Sequence, residues 1–184
     1  MVEVIYKRAE TSEELQQILE LQQRNIKAVL KDSTIKTEGY VTVEHTFDVL
    51  KRMNDACPHI IAKANGVVVG YALCMLETFR DDVLILKPMF EYMDTIIESK
   101  NLLRLKYLIM GQICIDKTFR KQGLFKKLYT HFKIELESDF DAVITEVNTK
   151  NTRSSKAHKS VGFEVLDEHT ENGEDWELII WKWH

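Results

Sequence analysis

The sequence lacks the cysteine patterns that organise disulfide scaffolds and zinc sites. Its three cysteines, Cys57, Cys74 and Cys114, are far apart and form no C-x-x-C pair. Cys74 and Cys114 lie within apolar runs, so we expect small buried side chains in a reducing compartment. The pattern excludes a disulfide framework, and we expect no metal in the site.

Long apolar runs and a strong charge bias are also missing. No stretch approaches the roughly 20 apolar residues of a membrane span. Acidic residues interrupt the N-terminal segment, which therefore does not read as a signal peptide. The net charge of −4 gives no support for a nucleic acid partner. We expect a single cytoplasmic domain over residues 1–184, with neither a membrane nor a nucleic acid as partner.

The common phosphate-binding fingerprints, G-x-x-x-x-G-K-[ST] and G-x-G-x-x-G, do not occur. Residues 107–136 instead give an apolar strand, a short basic turn and a helix with Leu124, Leu128 and Phe132 on one face. Gly123 stands where the helix begins, and the unpaired N–H groups of a helix N-terminus favour an anion. The pattern predicts a phosphate-binding turn; the alternative is an ordinary strand-to-helix connection with solvated basic residues.

The remaining patterns alternate between helix and strand. A capping box, Thr11 with Glu14, begins a helix that we predict to run to about residue 30. Asn65-Gly66 and Asn172-Gly173 predict turns between strands. Asn151 and Gly162 delimit a helix over residues 152–161. Further helices are predicted at 43–54 and 89–99, a loop at 31–39, and strands at 2–8, 59–64, 67–78, 142–147, 163–166 and 176–183.

Two segments resemble one known family. Residues 113–125 resemble the acetyl-CoA-binding motif of the GNAT acyltransferase superfamily, Arg/Gln-x-x-Gly-x-Gly/Ala, with Arg120, Gly123 and Phe125 at its three defined places. Phe125 departs from the small residue of that motif. Asn151, Ser154 and His158, followed by Gly162-Phe163, resemble the later Asn-x-x-Ser-x-x-x-Tyr helix of the superfamily, with His158 in place of the tyrosine.

The resemblance implies the fold and the activity. We expect an α/β (α+β) fold of the GNAT type, a mixed and mostly antiparallel twisted sheet flanked by helices, whose fourth and fifth strands splay to admit the pantetheine arm of CoA. The implied enzyme is an N-acetyltransferase that uses acetyl-CoA as cosubstrate and acetylates the amine of a small molecule or a peptide directly. The alternatives are a non-catalytic CoA-binding module on the same fold and an unrelated α/β interaction domain.

The resemblance also assigns the residues that bind the cofactor. Most belong to the central strand and the turn after it, and the rest lie on the later helix. The predicted set is Ile113, Cys114, Ile115, Arg120, Lys121, Gln122, Gly123, Leu124, Phe125, Lys126, Asn151, Ser154 and His158.

Catalytic groups are harder to assign. His158 has a reference pKa of about 6.5, which suits acid or base work near neutrality, although a structural histidine is an open alternative. Glu77 and Glu146 are the candidate bases, and Glu77 joins His158 in the predicted catalytic set; Gln112, an amide, cannot serve as a base.

The acceptor and the oligomeric state cannot be read from the sequence. An excess of acidic residues is compatible with a cationic acceptor. The tryptophans of the last strand suit either the core or the interface of a homodimer.

Overall fold

The computed structural model describes residues 2–26 and 40–184, and within them it has the α/β architecture expected. The strands are β1 (Val4–Arg8), β2 (Ile60–Ala64), β3 (Val67–Met75), β4 (Tyr107–Ile115), β5 (Ala142–Asn148), β6 (Glu164–Glu171) and β7 (Glu174–Lys182). The helices are α1 (Ser12–Gln23), α2 (Phe47–Ala56), α3 (Lys87–Ser99), α4 (Leu124–Leu136) and α5 (Thr152–Val161). Short 3₁₀ turns lie at Glu77–Phe79, Leu84–Leu86 and Lys117–Phe119.

The strands form one open sheet in the order β1-β2-β3-β4-β5-β7-β6. All neighbouring strands are antiparallel except β4 and β5, which are parallel. Asn65-Gly66 and Asn172-Gly173 have positive φ at both positions, the geometry of a type I′ turn, and they connect β2 to β3 and β6 to β7. The mixed, mostly antiparallel sheet and both turns are confirmed.

Helices cover the two faces of the sheet. On one face α1 and α2 pack against Tyr71 and Leu73, and α3 packs against Ile109 and Ile144 through a continuous apolar cluster. On the other face α4 packs against β2 and β3, with Leu128 fully buried. Helices therefore shield both faces of the central strands from solvent. A ligand can reach these strands only where a strand ends or where one of its edges is unpaired.

The first helix begins at the predicted capping box and ends earlier than predicted. Thr11 and Glu14 cap each other reciprocally. The chain then turns at Arg24, and Ile26 pairs with Val41 in a parallel bridge, a backbone arrangement that a continuing helix would forbid. The rest of the predicted helix, residues 27–30, and the predicted loop at 31–39 lie outside the described residues.

The second helix begins later than predicted because buried amides hold the preceding backbone extended. The side chain of Gln112 donates to the carbonyl of Val43 at 2.8 Å, and the amide of His45 donates to Gln22 at 2.9 Å. Thr46 then caps the helix through the amide of Val49. Residues 40–46 therefore form a strap of extended chain along the sheet, and residues 43–46 are not a first helical turn.

Several other bounds differ from the predictions by one or more residues, and three of them illustrate why. Strand β3 ends at Met75, and the predicted end at residue 78 lies in a 3₁₀ turn. Strand β6 extends to Glu171 because its pairing with β7 continues to the hairpin turn. Pro88 lies in the first turn of α3, where its missing N–H has no intrahelical partner to lose, so it is compatible with the start of the helix.

Among the described residues no helix is long and apolar enough to cross a bilayer.

Candidate functional site

The site is built where two parallel strands separate. Strands β4 and β5 pair only through Tyr107–Ile109 and Ala142–Ile144. Beyond that point the two strands diverge and leave a wedge-shaped opening. At its narrow end, the apex, the hydroxyl of Thr145 donates to the carbonyl of Met110 at 3.0 Å. Residues 110–115 therefore face an opening on the side where a neighbouring strand would otherwise pair with them. Main-chain groups on such an edge are available to an extended ligand.

A β-bulge at Gly111 sets the direction of the side chains around this opening. Leu73 pairs with Gln112 but Cys74 pairs with Met110, so Gly111 is the extra residue. The bulge sends the Gln112 side chain inward, where its oxygen accepts from Tyr71 at 2.6 Å and from Gln22 at 2.8 Å. Gln112 is thus a structural amide that anchors the strap beside the opening.

Three adjoining clefts surround the opening. The first, the helix-side cleft, lies at the N-terminus of α4. Gly123 caps α4 with φ at +81°, and a Cβ built there would meet no atom within 4 Å. The amide of Lys127 makes the first helical bond, to the carbonyl of Gly123, so the preceding amides point out of the helix end. Lys121 also has a positive φ, 62°, which is uncommon outside glycine and asparagine. The turn presents backbone N–H groups to an open space.

Most of the predicted cofactor-binding residues line this cleft. They are Ile113, Cys114, Ile115, Arg120, Lys121, Gly123, Leu124, Phe125 and Ser154. Gln122 and Lys126 are not among the lining residues of the three clefts, and Gln122 donates to the carbonyl of Thr118 at 2.9 Å. Arg120 donates to the carbonyl of Ile115 at 3.0 Å and to Asn25 at 2.6 Å, so its side chain fixes the turn onto the sheet and onto the segment that follows α1.

Phe125 forms a wall of the helix-side cleft. Its ring centroid lies 5.1 Å from that of Tyr129 and 5.1 Å from that of His158, which it meets at a right angle. This edge contact is a favourable aromatic geometry. The bulky residue is accommodated by the aromatic cluster between α4 and α5 while it still lines the cleft.

The strand-opening cleft lies between β4 and β5, and His158 and Asn151 line it. His158 is 2% exposed, and its Nδ1 lies 2.8 Å from the carbonyl oxygen of Ser154. A carbonyl only accepts, so Nδ1 carries the proton and the unpartnered Nε2 carries the lone pair. Burial lowers the pKa of His158 to about 4, so the ring is neutral at physiological pH.

The hairpin-side cleft opens on the other face of the sheet, and Glu146 lines both it and the strand-opening cleft. The Glu146 side chain is 9% exposed, and Oε1 makes no hydrogen bond within the described structure. Nε2 of His169 lies 3.2 Å from Oε1 but without hydrogen-bond alignment. Burial, and secondarily the negative charge of Glu171, raise the pKa of Glu146 to about 8. A carboxyl with this pKa can accept a proton near neutrality.

Glu77 lies elsewhere. It follows β3 in a 3₁₀ turn, its side chain is 53% exposed, and it accepts from Arg80 at 2.8 Å. The hydroxyl of Tyr107 also reaches it at 3.4 Å, and it lines none of the three clefts. Its catalytic role stays a prediction.

Several residues around the opening are not among the individual site residues predicted from the sequence. The strap residues Tyr40, Val41, Thr42 and Val43, together with Thr145 and Trp176, line the clefts because of tertiary packing. Gly111 did carry a signal, since an isolated glycine within an apolar strand often marks a bulge.

The comparison with protein families decides the classification. The model of the acetyltransferase (GNAT) family matches residues 17–163, which include the sheet opening, the α4 turn and His158. The chain belongs to the GNAT family. GNAT membership makes it an acetyltransferase, and the matched range contains most of the residues that line the three clefts. Those of the β6–β7 hairpin, Glu171, Asn172, Glu174 and Trp176, lie beyond it.

Solved GNAT structures share the fold at low sequence identity. The ribosomal-protein-S18-alanine N-acetyltransferase from Escherichia coli is 16% identical, with a TM-score of 0.60 over 98% of this chain and 94% of that chain. A putative acetyltransferase, yncA, from Salmonella typhimurium, solved with its cofactor acetyl-CoA, is 14% identical, with a TM-score of 0.63 over 98% and 94%. Ard1 from Thermoplasma volcanium is 12% identical, with a TM-score of 0.63 over 96% and 95%. No curated protein matches the sequence.

Proposed function

We propose that this GNAT protein transfers an acetyl group from acetyl-CoA directly to a primary amine while both substrates are bound. The observation that carries the proposal is the opening between β4 and β5. The unpaired helix N-terminus of α4 lies on one side of it, and the buried carboxyl of Glu146 lies on the other. The clefts on the two faces adjoin through shared lining residues, so two substrates can meet at the apex.

The helix-side cleft fits the phosphates and the pantetheine arm of acetyl-CoA. Gly123 leaves open the space that a side chain would fill, and the first amides of α4 can donate to a diphosphate. The main chain at Ile113 and Ile115, unpaired by β5, can pair with the amides of an extended arm. Neighbouring structures that are named for CoA or acetyl-CoA support the same assignment.

Glu146 is the proposed base. An alkylammonium ion has a reference pKa of about 10.4 and must lose a proton before its nitrogen can attack. The ammonium gives that proton to the Glu146 carboxylate. The amine nitrogen then bonds to the thioester carbonyl carbon, and the carbon–sulfur bond breaks. The thiolate that leaves has a reference pKa of about 8.5 and needs little assistance from an acid.

His158 acts in this proposal as a hydrogen-bond acceptor. Its Nδ1 proton is committed to the Ser154 carbonyl, and its low pKa keeps Nε2 unprotonated at neutral pH. It lines the opening and is held by Phe125, Tyr129 and Phe163. We therefore place His158 in contact with the reacting end of the cosubstrate, as a group that orients and does not donate a proton.

The test is thiol release from acetyl-CoA with and without a panel of primary amines, together with thermal stability in CoA. Turnover that depends on an amine, with Glu146→Gln reducing kcat and retaining CoA binding, supports direct transfer. Stabilisation by CoA with no turnover on any amine would instead identify a CoA-binding module without catalysis. No stabilisation and no turnover would overturn both assignments.

A further inference from the structure

The hairpin-side cleft has a charge pattern that the transfer chemistry alone does not explain. It lies between the N-terminal end of α3, the strap at residues 42–43 and the β6–β7 turn. Glu146, Glu171 and Glu174 line it, and none of its described lining residues is Lys or Arg. Repulsion between like charges and burial both penalise ionised carboxyl groups, so a bound cation would stabilise this set.

The three carboxyl groups are not equivalent. Glu174 is paired, since Lys150 lies 2.9 Å from it and Asn148 donates to it at 3.1 Å. Glu146 is more than nine-tenths buried, lines the cleft, and has an oxygen without a hydrogen-bond donor. Its described charged and titratable neighbours are His169 and Glu171 on β6 and Tyr92 on α3. A buried acceptor oxygen without a donor is a position for a ligand N–H group.

The rest of the cleft lining is largely apolar. Ile85, Leu86 and Met89 line it at the start of α3, Trp176 lines it beside Glu174 on β7, and Ile85 is 68% exposed. Exposed apolar side chains beside carboxylates suit a ligand with methylene groups between cationic centres. The same carboxylates would repel an acceptor whose amino group neighbours a free carboxylate.

We propose that the acceptor is a small aliphatic diamine or polyamine. One amino group lies at Glu146 and reacts, and a second ammonium group is bound at Glu171 while the methylene chain contacts the apolar lining. The inference rests on the proposed transferase function and adds the substrate class. The step is balanced: the reacting ammonium becomes an acetamide, CoA leaves as the thiol, and one proton is released.

The test compares kcat/KM for 1,4-diaminobutane and spermidine with that for n-butylamine, glycine and a short lysine-containing peptide. We expect the diamines to exceed n-butylamine and the peptide by about tenfold or more, since one added charge pair at a partly buried site contributes about 1.4 kcal/mol or more. Glu171→Gln should remove most of that advantage. Glu168→Gln, the same charge change on an exposed side chain of β6, is the matched control and should retain it.

A binding measurement separates this inference from the transferase proposal. Calorimetric titration of 1,4-diaminobutane into the CoA-saturated protein should show binding that Glu171→Gln weakens and Glu168→Gln does not. Equal or better turnover of n-butylamine or the peptide, or no diamine binding, would overturn the inference. Diamine binding without acetylation of any amine would instead overturn the transferase proposal and leave the cation site standing.

Discussion

At the scale of single residues, the site depends on a carboxyl group that the fold keeps from water. A buried carboxylate without a cation is costly, so the proton is held more tightly and the pKa of Glu146 rises to about 8. The same environment makes the group a useful base at the pH where a thioester and an amine coexist. At this one position burial lowers the stability of the fold and gives the carboxyl group the pKa that the proposed base requires.

We predict that Glu146→Gln lowers kcat by about 10²- to 10⁴-fold, the usual contribution of a general base. Glu146 accepts a proton only when ionised, so wild-type kcat should rise with pH through about 8 and level off at higher pH. The residual kcat of Glu146→Gln should not rise with pH in this range. Glu146→Asp should recover part of the wild-type kcat and its rise with pH. A pH profile that is identical in wild type and Glu146→Gln would contradict the assignment.

Although Glu146→Gln should lower kcat, it should raise the stability of the fold at alkaline pH. The folded pKa is raised above the unfolded value, so the contribution of the Glu146 proton to stability is complete below about pH 4.5 and is lost as pH rises through about 8. Gln does not ionise, so the variant should gain stability over wild type as pH rises through that range. Thermal melts at pH 5 and pH 9 measure the difference, and a variant that loses stability at pH 9 would contradict it.

His158 provides a second prediction at this scale. His158→Phe keeps the aromatic packing with Phe125 and removes Nε2. If His158 orients the cosubstrate without donating a proton, KM for acetyl-CoA should rise, kcat should fall by less than about tenfold, and the shape of the pH profile should not change. If wild-type kcat falls at alkaline pH and this fall is missing in His158→Phe, His158 acts instead as an acid.

At the scale of secondary-structure elements, the N-terminus of α4 is the decisive feature. Gly123→Glu should lower CoA affinity by about a hundredfold or more, because it places a carboxylate where the helix end would bind a phosphate. Gly66→Glu is the matched control: Gly66 has the same φ of +81° and equally open surroundings, but lies in the β2–β3 turn. The backbone strain should be similar, so only Gly123→Glu should affect calorimetric CoA binding.

The start of α1 is held by a different buried carboxylate. Burial would raise the pKa of Glu14, but the backbone amide of Glu10 and the side chains of Lys63 and Lys7 lower it to about 2. Because the folded pKa is depressed, the stabilisation is complete above about pH 4.5 and is lost as pH falls toward 2.

Glu14→Gln should therefore lower the free energy of unfolding by about 2 to 4 kcal/mol near pH 7, because it keeps the accepting oxygen of the capping box but removes the buried carboxylate that Lys63 and Lys7 share. Lys7 retains its contact with Glu10. Urea unfolding at pH 7 and pH 3 measures the effect, which should shrink at the lower pH. Glu13→Gln, at an exposed position in the same turn, should change stability by less than about 0.5 kcal/mol.

At the scale of the whole molecule, ligand binding should be visible as stabilisation of the fold. CoA at a hundred times its dissociation constant contributes about 2.7 kcal/mol. For a protein of this size that corresponds to a Tm increase of about 5 to 11 °C. A nucleotide without the pantetheine arm, added at the same concentration as CoA, should give a smaller increase in Tm. It cannot pair with residues 113–115 and should therefore bind more weakly. Equal shifts for the two ligands would show that the strand edge is not used.

How much the sequence determined can be judged from particular residues. Thr11 with Glu14, Asn65-Gly66 and the helix over residues 152–161 act through neighbours close in the chain, and all three predictions are confirmed. The α4 turn belongs to the same class, since a glycine before an amphipathic helix is a local signal. Local geometry and the GNAT resemblance were sufficient for the fold and for most residues of the β4 strand and the α4 turn that line the helix-side cleft.

Tertiary structure decided the surroundings of the two candidate carboxyl groups. Glu77 and Glu146 were equivalent as carboxylates near strand ends, and only packing exposed the first and buried the second. The strap and the extended residues before α2 likewise depend on Gln22 and Gln112, which lie far apart in the chain. The pKa of a carboxyl and the direction of a side chain depend on groups brought together by folding, so the sequence alone determined the elements and the folded chain determined the chemistry.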